Sequence, residues 1–267
     1  MPDQNRYSAL IEAVFFLRYK PDIPDVFFER QDIIDKAQEL GIALPKNVGD
    51  VVYSFRYRTP LPRSIRDIAP LGMEWVIFGN GRGKYRFSPA DPKLARILPN
   101  SNLIETKIPE ATPGLVLKYT GTDEQALLAK VRYNRLIDIF TGVTAFSLQN
   151  HLRTTVPDVG QVETDEIYVG VDKKGAHYVF PVQAKGHSDQ LGIAQVDQDF
   201  LVGETKYPGL ICCPISAQFM ADDVIAMFSF EKTDNEIRIS GERHYKLVAP
   251  EDVTSVDLEL YRARLDN

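Results

Sequence analysis

The sequence predicts a mixed α/β protein with a helical N-terminal part and a strand-rich C-terminal part. Three observations support this prediction. Helical periodicity dominates up to about residue 57, prolines concentrate over residues 89–121, and runs of β-branched and aromatic residues recur beyond about residue 145. We therefore divide the chain into residues 1–90, a proline-rich linker over 91–121, and residues 122–267.

The composition is typical of a soluble globular chain. Its 267 residues, 44% hydrophobic and 25% charged, suffice for one large or two small domains. No run approaches the ~20 apolar residues of a membrane span, and the first residues lack the charged-then-apolar layout of a signal peptide. The adjacent Cys212 and Cys213 lie in an apolar run, so we expect buried thiols and a reducing, cytoplasmic location, without membrane association.

The N-terminal part predicts three helices and a hairpin. Apolar periodicity places the helices at residues 9–19, 30–40 and 46–57, the second ended by Gly41. Residues 74–78 and 84–87 are apolar runs on either side of a glycine-rich tip, which predicts a hairpin. The glycines are not followed by Lys-Ser/Thr and a helix, so a nucleotide-binding P-loop is not indicated.

The same region is locally basic although the chain carries a formal net charge of −6. Residues 46–86 contain eight basic and three acidic side chains, which favours a docking surface for a polyanion. A solvated charged face is the alternative. The net acidity of the whole chain counts against a nucleic-acid binder, but the distribution of charge matters more than its sum.

This order of helices and hairpin resembles a winged-helix DNA-binding domain over about residues 5–90. In such domains the third helix enters the major groove and the hairpin contacts the backbone or the minor groove. A winged helix used only for protein contacts is the alternative. The resemblance implies contacts to double-stranded DNA from the third helix and the hairpin, at Lys46, Asn47, Arg56, Arg58, Arg82 and Lys84.

The C-terminal part predicts a helix followed by strands. Residues 122–125 have the pattern of a capping box that opens a helix to about Phe140. Further on, residues 189–200 fit a helix, residues 210–215, 224–230 and 237–247 fit strands, and the tail fits a helix.

The most informative feature is a hairpin formed by residues 162–185. Its two arms are rich in β-branched and aromatic residues, and a turn near Lys174 makes the numbers of paired residues sum to about 348. Asp165 then lies opposite Gln183, and Glu163 opposite Lys185. Because side chains alternate between faces, these four residues converge on one face.

Asp172 also precedes the Gln-x-Lys sequence, but we expect it to belong to the turn. It would lie roughly 20 Å along the strand from Asp165. Aspartate is common in turns because its side chain bonds to nearby backbone N–H groups.

Two carboxylates, an amide and an ammonium at one place suit a hard divalent cation. Mg²⁺ prefers oxygen ligands, and a lysine beside it can orient a water molecule or offset charge on a phosphoryl oxygen. An ordinary hairpin whose polar face meets solvent is the alternative.

Asp165 followed by Gln183-Ala184-Lys185 resembles the PD-(D/E)xK nuclease superfamily, in particular its Mrr-like restriction endonuclease branch with a D…QxK pattern. The resemblance implies an αβ core with a central mixed sheet. It also implies that Asp165, Gln183 and the Ala184 carbonyl hold Mg²⁺ or Mn²⁺ while Lys185 assists the water. The chain departs from the family pattern because no proline precedes Asp165 and Gln183 is neutral; Glu163 would restore the missing charge.

Several other residues are weaker candidates. Members of the superfamily often carry an extra acid on the helix before the sheet, for which Glu124 and Asp138 qualify, and some carry a glutamine on a later helix, for which Gln195 qualifies. Another group alternates along a predicted strand and would contact phosphate or form a polar outer face: Gln149, His151 and Arg153.

Together these features predict a Mg²⁺-dependent DNA endonuclease of restriction type. Since duplex cleavage needs two cuts, we expect a homodimer, formed in solution or on DNA. A junction resolvase and a DNA-binding regulator with an inactive nuclease fold are the alternatives, the second because Gln183 carries no charge.

Overall fold

The computed structural model describes residues 6–21, 23–157, 159–186, 191–234 and 236–264. The architecture is mixed α/β, and the chain divides into two compact units. Unit 1 comprises residues 1–98, 153–163 and 190–201. Unit 2 comprises residues 99–152, 164–189 and 202–267.

Unit 1 contains short helices around a small antiparallel sheet. Its elements are α1 (Arg6–Arg18), β1 (Val26–Glu29), α2 (Arg30–Leu40), α3 (Gly49–Tyr57), α4 (Arg63–Arg66), β2 (Glu74–Gly79), β3 (Lys84–Ala90) and α5 (Pro92–Ala95). The strands have the order β1-β3-β2, and the core of unit 1 includes Phe15, Ile33, Val52 and Phe87.

The three helices and the hairpin predicted for the N-terminal part are all present. The second helix has the predicted bounds, and Gly41 ends it in the left-handed conformation with φ 66°. The third helix begins at Gly49 rather than residue 46. The Asn47 side chain accepts a hydrogen bond from the Gly49 N–H at 3.2 Å, so residues 46–48 form a turn ahead of the helix.

The main sheet has eight strands and is mixed. The remaining elements are β4 (Glu105–Pro109), α6 (Gly114–Tyr119), α7 (Glu124–Tyr133), α8 (Leu136–Thr141), β5 (Thr144–Val156), β6 (Gly160–Val171), β7 (His177–Lys185), α9 (Ile193–Lys206), β8 (Ile211–Cys212), β9 (Ile215–Phe219), β10 (Val224–Thr233), β11 (Glu236–Val248) and α10 (Ser255–Ala263). The strand order in the main sheet is β4-β11-β10-β9-β7-β6-β5, with β8 beside β7.

Two predicted elements differ in the C-terminal part. Strand 210–215 is split between β8 and β9. The helix predicted over 189–200 is α9, which begins at Ile193 and continues to Lys206; Asp189 lies outside the described residues.

The helix predicted from residue 122 to about 140 is two helices. Asp123 rather than Thr122 caps the first, since its side chain accepts the Ala126 N–H at 2.9 Å. The break comes at Asn134 and Arg135, the latter with φ 50°. The buried Asn134 amide donates to Thr112 and accepts the Ala111 N–H, so bonds to a distant segment end the first helix.

The predicted linker includes regular structure. Residues 105–109 form β4, which pairs in parallel with β11 at the edge of the main sheet. The partner strand lies more than a hundred residues further along the chain, so local composition gives no indication of this pairing.

Neither cysteine forms a disulfide within the described part of the chain, and both are half-buried. Burial raises the pKa of the Cys213 thiol to about 11, which keeps it protonated and unreactive. No helix in the described residues is long and apolar enough to cross a bilayer.

Gly170 marks a close approach within the main sheet. A Cβ at this position would lie 2.9 Å from the Thr144 carbonyl oxygen and 2.8 Å from Val143 Cγ1. We expect Gly170→Ala to lower the free energy of unfolding by about 1–3 kcal/mol, since overpacking forces the backbone to shift. Gly114→Ala is the control, because nothing lies within 4 Å of its Cβ position. Equal unfolding midpoints in urea for the two variants would contradict the expectation.

Candidate functional site

The register predicted for the β6–β7 hairpin is confirmed. Its ladder runs from Val171 paired with His177 to Glu166 paired with Val182, so partner numbers sum to 348 throughout. The turn is centred where expected, with Gly175 at φ 83°. The register brings Asp165, near the middle of β6, beside residues 183–185.

Asp172 is a turn residue, as predicted. Its Oδ1 accepts the backbone N–H groups of Lys174 at 2.8 Å and Ala176 at 2.9 Å. The bond from Ala176 is the main cause that lowers the pKa of the Asp172 carboxyl. Asp172 therefore stabilises the turn of the hairpin.

The Asp165 carboxylate lies against the backbone of residues 183–185. Its Oδ2 accepts the Ala184 N–H at 2.8 Å, just beyond the last ladder pair. The Asp165 side-chain oxygen thus takes the place of the backbone carbonyl that would accept the Ala184 N–H if the ladder continued. This contact places a half-buried carboxylate next to Gln183 and Lys185.

Alternation along β7 separates the core residues from the candidate site. Val182 and Ala184 belong to the main hydrophobic core, together with Tyr168 of β6. Gln183 and Lys185 therefore lie on the opposite face. The Gln183 side chain is almost entirely buried at 4% exposure, whereas Lys185 is half-buried.

The neighbouring strand β9 adds two polar residues that the sequence reasoning missed. Its parallel register sets Ser216 beside Gln183 and Gln218 beside Lys185. Both are buried, and Ser216 Oγ and Gln218 Oε1 have no hydrogen-bond partner within the described ranges. The buried strand Ile-Ser-Ala-Gln-Phe has polar residues at alternating positions, and this pattern could have marked them as candidates. The sequence does not show which strand they lie beside, because that depends on pairing between distant segments.

Glu124 and Asp138, the candidate acids on helices, lie on the core face of the sheet, opposite to the face of Gln183 and Lys185. The Asp138 carboxylate pairs with Arg135 and accepts the Ala145 N–H at 3.0 Å. Helix α7, which carries Glu124, packs its apolar side into the same core as Ala184. Neither acid is placed with Gln183 and Lys185.

Glu163, the proposed second carboxylate, is engaged elsewhere. It forms an ion pair with Arg153, whose Nη2 lies 3.0 Å from Glu163 Oε2. A metal ion would have to compete with this guanidinium for the carboxylate.

Another β6 carboxylate, Glu166, is fully buried. Its Oε1 lies 2.8 Å from Arg132 Nη2 and also accepts the Ser147 hydroxyl. Glu166 lies opposite Val182 and therefore on the core face of β6, away from Asp165. The ion pair between Glu166 and Arg132 of α7 indicates that Glu166 has a structural role.

Of the residues proposed for DNA contact on α3, Arg56 is held within unit 1. Its Nε donates to the Ile77 carbonyl at 3.1 Å. The next residue, Tyr57, donates to Gln198 at 3.2 Å, and burial raises the pKa of its phenol. Arg58 is exposed and lies over the Tyr53 ring at 5.2 Å.

Lys46 and Asn47, in the turn before α3, are both exposed. The Asn47 side chain donates to Asp50 and accepts from the Gly49 N–H, which engages it in the turn. Lys46 and Arg58 are the more accessible cations at the two ends of this helix.

The β2–β3 hairpin carries Arg82 at its tip, where it is exposed. Lys84 lies 3.5 Å from Glu29. The hairpin also packs against Val159, since a Cβ on Gly79 would lie 2.9 Å from the Val159 carbonyl oxygen. One side of the hairpin is therefore covered within unit 1.

The weaker candidates lie on β5 and α9. Gln149, His151 and Arg153 lie on β5 and are exposed, but His151 has φ 49°, which breaks the predicted alternation. Gln195 lies in α9 and is half-buried. In the described part of the chain, no group of three or more His, Cys, Asp or Glu side chains is arranged to hold a metal ion.

Comparisons with protein-family models, with curated proteins and with solved structures give no match to this chain. The residues of the site and the geometry of the fold are therefore the basis for assigning a function.

Proposed function

We propose that the protein is a Mg²⁺-dependent DNA endonuclease of restriction type. The observation that carries this proposal is the 2.8 Å bond from the Ala184 N–H to Asp165 Oδ2. It joins the aspartate to the Gln-Ala-Lys segment, which are the two parts of the pattern that resembles PD-(D/E)xK nucleases.

The chemistry of the donor atoms suits Mg²⁺ or Mn²⁺. The Asp165 carboxylate, the Gln183 amide oxygen and the Ala184 carbonyl are hard oxygen ligands, and Mg²⁺ commonly takes one or two carboxylates with waters. The bound ion would supply a nucleophilic water and stabilise charge on the phosphoryl oxygens. The Lys185 ammonium would orient that water and offset developing charge.

The β9 residues support the geometry of this site. Ser216 lies beside Gln183 in the parallel register and is buried with it. The Ser216 hydroxyl has no hydrogen-bond partner within the described ranges, so it is available to a water molecule or ligand at the site.

Unit 1 is proposed to bind duplex DNA as a winged helix. The support is its order of elements, with one helix, a strand, three helices of which the last is a single turn, and a hairpin, and the sheet order β1-β3-β2. Lys46, Arg58 and Arg82 are exposed and suit phosphate contacts. Arg56 instead positions α3 against β2 through the Ile77 carbonyl.

One observation favours a second candidate, a DNA-binding regulator without nuclease activity. Glu163 is paired with Arg153, so Asp165 is the carboxylate of the proposed set that lies beside Gln183. A single carboxylate binds Mg²⁺ weakly, because the charge of the ligands contributes much of the affinity.

Incubation of the purified chain with supercoiled plasmid, with and without Mg²⁺ or Mn²⁺, separates the two functions. Nicked or linear product that requires the metal supports the endonuclease. DNA binding without cleavage in either metal supports the regulator. Parallel reactions with linear duplex and with a four-way junction distinguish a restriction-type enzyme from a resolvase.

Replacing Arg82 with alanine tests the DNA-binding surface. We expect weaker binding and a salt dependence reduced by about one unit for each lost phosphate contact, with cleavage unchanged at saturating DNA. Arg238→Ala in β11 is the control, since it removes an exposed arginine of unit 2. Fluorescence anisotropy over a salt series measures both. If Arg82→Ala binds DNA like wild type at every salt concentration, unit 1 is better explained as a protein-interaction module.

A further inference from the structure

We propose that Gln218 is a catalytic residue, whose Oε1 accepts a hydrogen bond from the water molecule that attacks phosphorus and thereby orients it. Gln218 lies on strand β9 and is not part of the pattern of Asp165 and Gln-Ala-Lys that predicted the site. This role rests on the proposed nuclease function and adds to it the group that holds the nucleophile.

Gln218 lies beside Lys185 on a neighbouring strand. The parallel register of β7 and β9 pairs the two residues, and neighbouring strands lie about 4.8 Å apart. Ala217 and Phe219, on either side of Gln218, belong to the main hydrophobic core. Since side chains alternate along a strand, the Gln218 amide lies on the opposite face of the sheet, together with the Lys185 ammonium.

The Gln218 amide oxygen is buried and has an unused capacity to accept a hydrogen bond. The residue is 7% exposed, and its Oε1 has no hydrogen-bond partner within the described residues. Leaving a buried acceptor unpaired lowers stability, so folded proteins usually satisfy such atoms with a protein group or an ordered water. A glutamine at this position therefore points to a water molecule or ligand that donates to Oε1.

The neighbouring lysine needs an acceptor beside it to orient a water molecule. A protonated lysine has three N–H donors and no acceptor, so Lys185 can bind the oxygen of a water molecule but not its hydrogens. The Asp165 carboxylate is the proposed metal ligand and already accepts the Ala184 N–H. Gln218 Oε1 supplies the acceptor that turns the water, so that a lone pair of its oxygen faces phosphorus.

The reaction is hydrolysis of a phosphodiester. The water oxygen forms a bond to phosphorus, the bond from phosphorus to the leaving sugar oxygen breaks, and the electron pair of that bond goes to the sugar oxygen. The attacking water releases one proton to solvent, and the leaving oxygen takes one proton from solvent. A neutral amide takes no proton, so Gln218 acts by holding the water in line with the bond that breaks. A glutamine orients the attacking water in the same way in GTPases.

Gln218→Leu tests this role in the purified full chain. At saturating plasmid and Mg²⁺, the single-turnover cleavage rate should fall by about 100-fold, the scale expected when a reacting group is misplaced. The affinity for Mg²⁺ by calorimetry and the affinity for DNA by anisotropy should be unchanged, because the amide acts on the water alone. Gln218→Glu should cleave faster than Gln218→Leu, since its carboxylate keeps an acceptor at the same chain length.

Unfolding in urea separates this role from a structural one. Gln218→Leu should be at least as stable as wild type, because an apolar side chain of similar size replaces a buried, unpaired acceptor. Gln161→Leu is the control for cleavage, since Gln161 is an exposed glutamine of β6, and it should cleave like wild type.

The possible results distinguish a wrong role for Gln218 from a wrong function. If wild type and Gln218→Leu cleave DNA equally well, the role of Gln218 is overturned and the nuclease assignment stands. A loss of Mg²⁺ binding or of stability in Gln218→Leu would also overturn this role, since the amide would then be a metal ligand or a structural group. If wild type cleaves no DNA in Mg²⁺ or Mn²⁺, the proposed function is overturned and the role of Gln218 with it.

Discussion

Replacing Arg132 with leucine is expected to lower the free energy of unfolding by roughly 3 kcal/mol. Arg132 Nη2 lies 2.8 Å from Glu166 Oε1, and the Glu166 side chain is 0% exposed. Removal of the arginine leaves a buried carboxylate without its counter-charge, and breaking a buried pair from one side typically costs about 3–5 kcal/mol. The lower part of that range applies because the Arg132 side chain is 37% exposed.

Two further variants test whether burial of the ion pair, rather than its N–O distance, determines the loss of stability. Arg238 forms an ion pair with Glu236 at the same 2.8 Å, but both side chains are mostly exposed. Arg238→Leu should therefore leave the urea unfolding midpoint close to that of wild type. The double variant Arg132→Leu with Glu166→Leu should recover most of the lost stability, since no charge remains buried. Urea unfolding measures all three, and an unrecovered double variant would contradict the electrostatic explanation.

Replacing Asp165 with alanine is expected to abolish metal-dependent cleavage, with a loss of at least about 100-fold. Asp165 is the carboxylate bonded to the Ala184 N–H, and neutral Gln183 has no charge with which to compensate for its removal. Loss of a group that stabilises charge at a reacting centre typically costs about 10²–10³ in rate. The rate of plasmid nicking in Mg²⁺ measures the effect.

Asp172→Ala is the matched control, because it removes an acid of the same hairpin that serves the turn. Cleavage by this variant should remain close to wild type. DNA affinity without metal should be unchanged in Asp165→Ala, since the proposed contacts lie in unit 1. If Asp165→Ala still cleaves DNA, the assignment of the site is wrong even if the protein is a nuclease.

Lys185→Ala should separate binding from chemistry in the same assay. We expect normal DNA affinity and cleavage reduced by about two orders of magnitude, because the ammonium acts on the water and the phosphoryl oxygens. Titration of Mg²⁺ by calorimetry gives a readout besides activity. Asp165→Ala should lose metal binding, whereas Lys185→Ala should retain it.

The local features of the chain were predictable from its sequence. The β6–β7 register follows from two apolar arms and a short polar turn, and a turn sets the register of the strands that it joins. The bounds of α2 follow from its apolar period and Gly41. These features depend on neighbours in sequence, which is why patterns of period 2 and 3.6 suffice to find them.

Features that depend on distant pairing were not predictable in this way. Asn134 ends α7 because its amide bonds to residues 111 and 112, and β4 exists because β11 lies beside it. Glu163 faced the predicted site by alternation, but the structure pairs it with Arg153. In each case the deciding partner is a side chain or strand that local patterns do not specify.

The sequence by itself determined that Asp165 and Gln183-Ala184-Lys185 would meet, because one hairpin contains all of them. Only the tertiary structure decided what surrounds them. The parallel pairing of β7 with β9 places Ser216 and Gln218 beside the site, and the packing of α7 and α8 puts the helix acids on the other face. Parallel pairing and helix packing join segments far apart in the chain, and they are selected by the burial of the whole core.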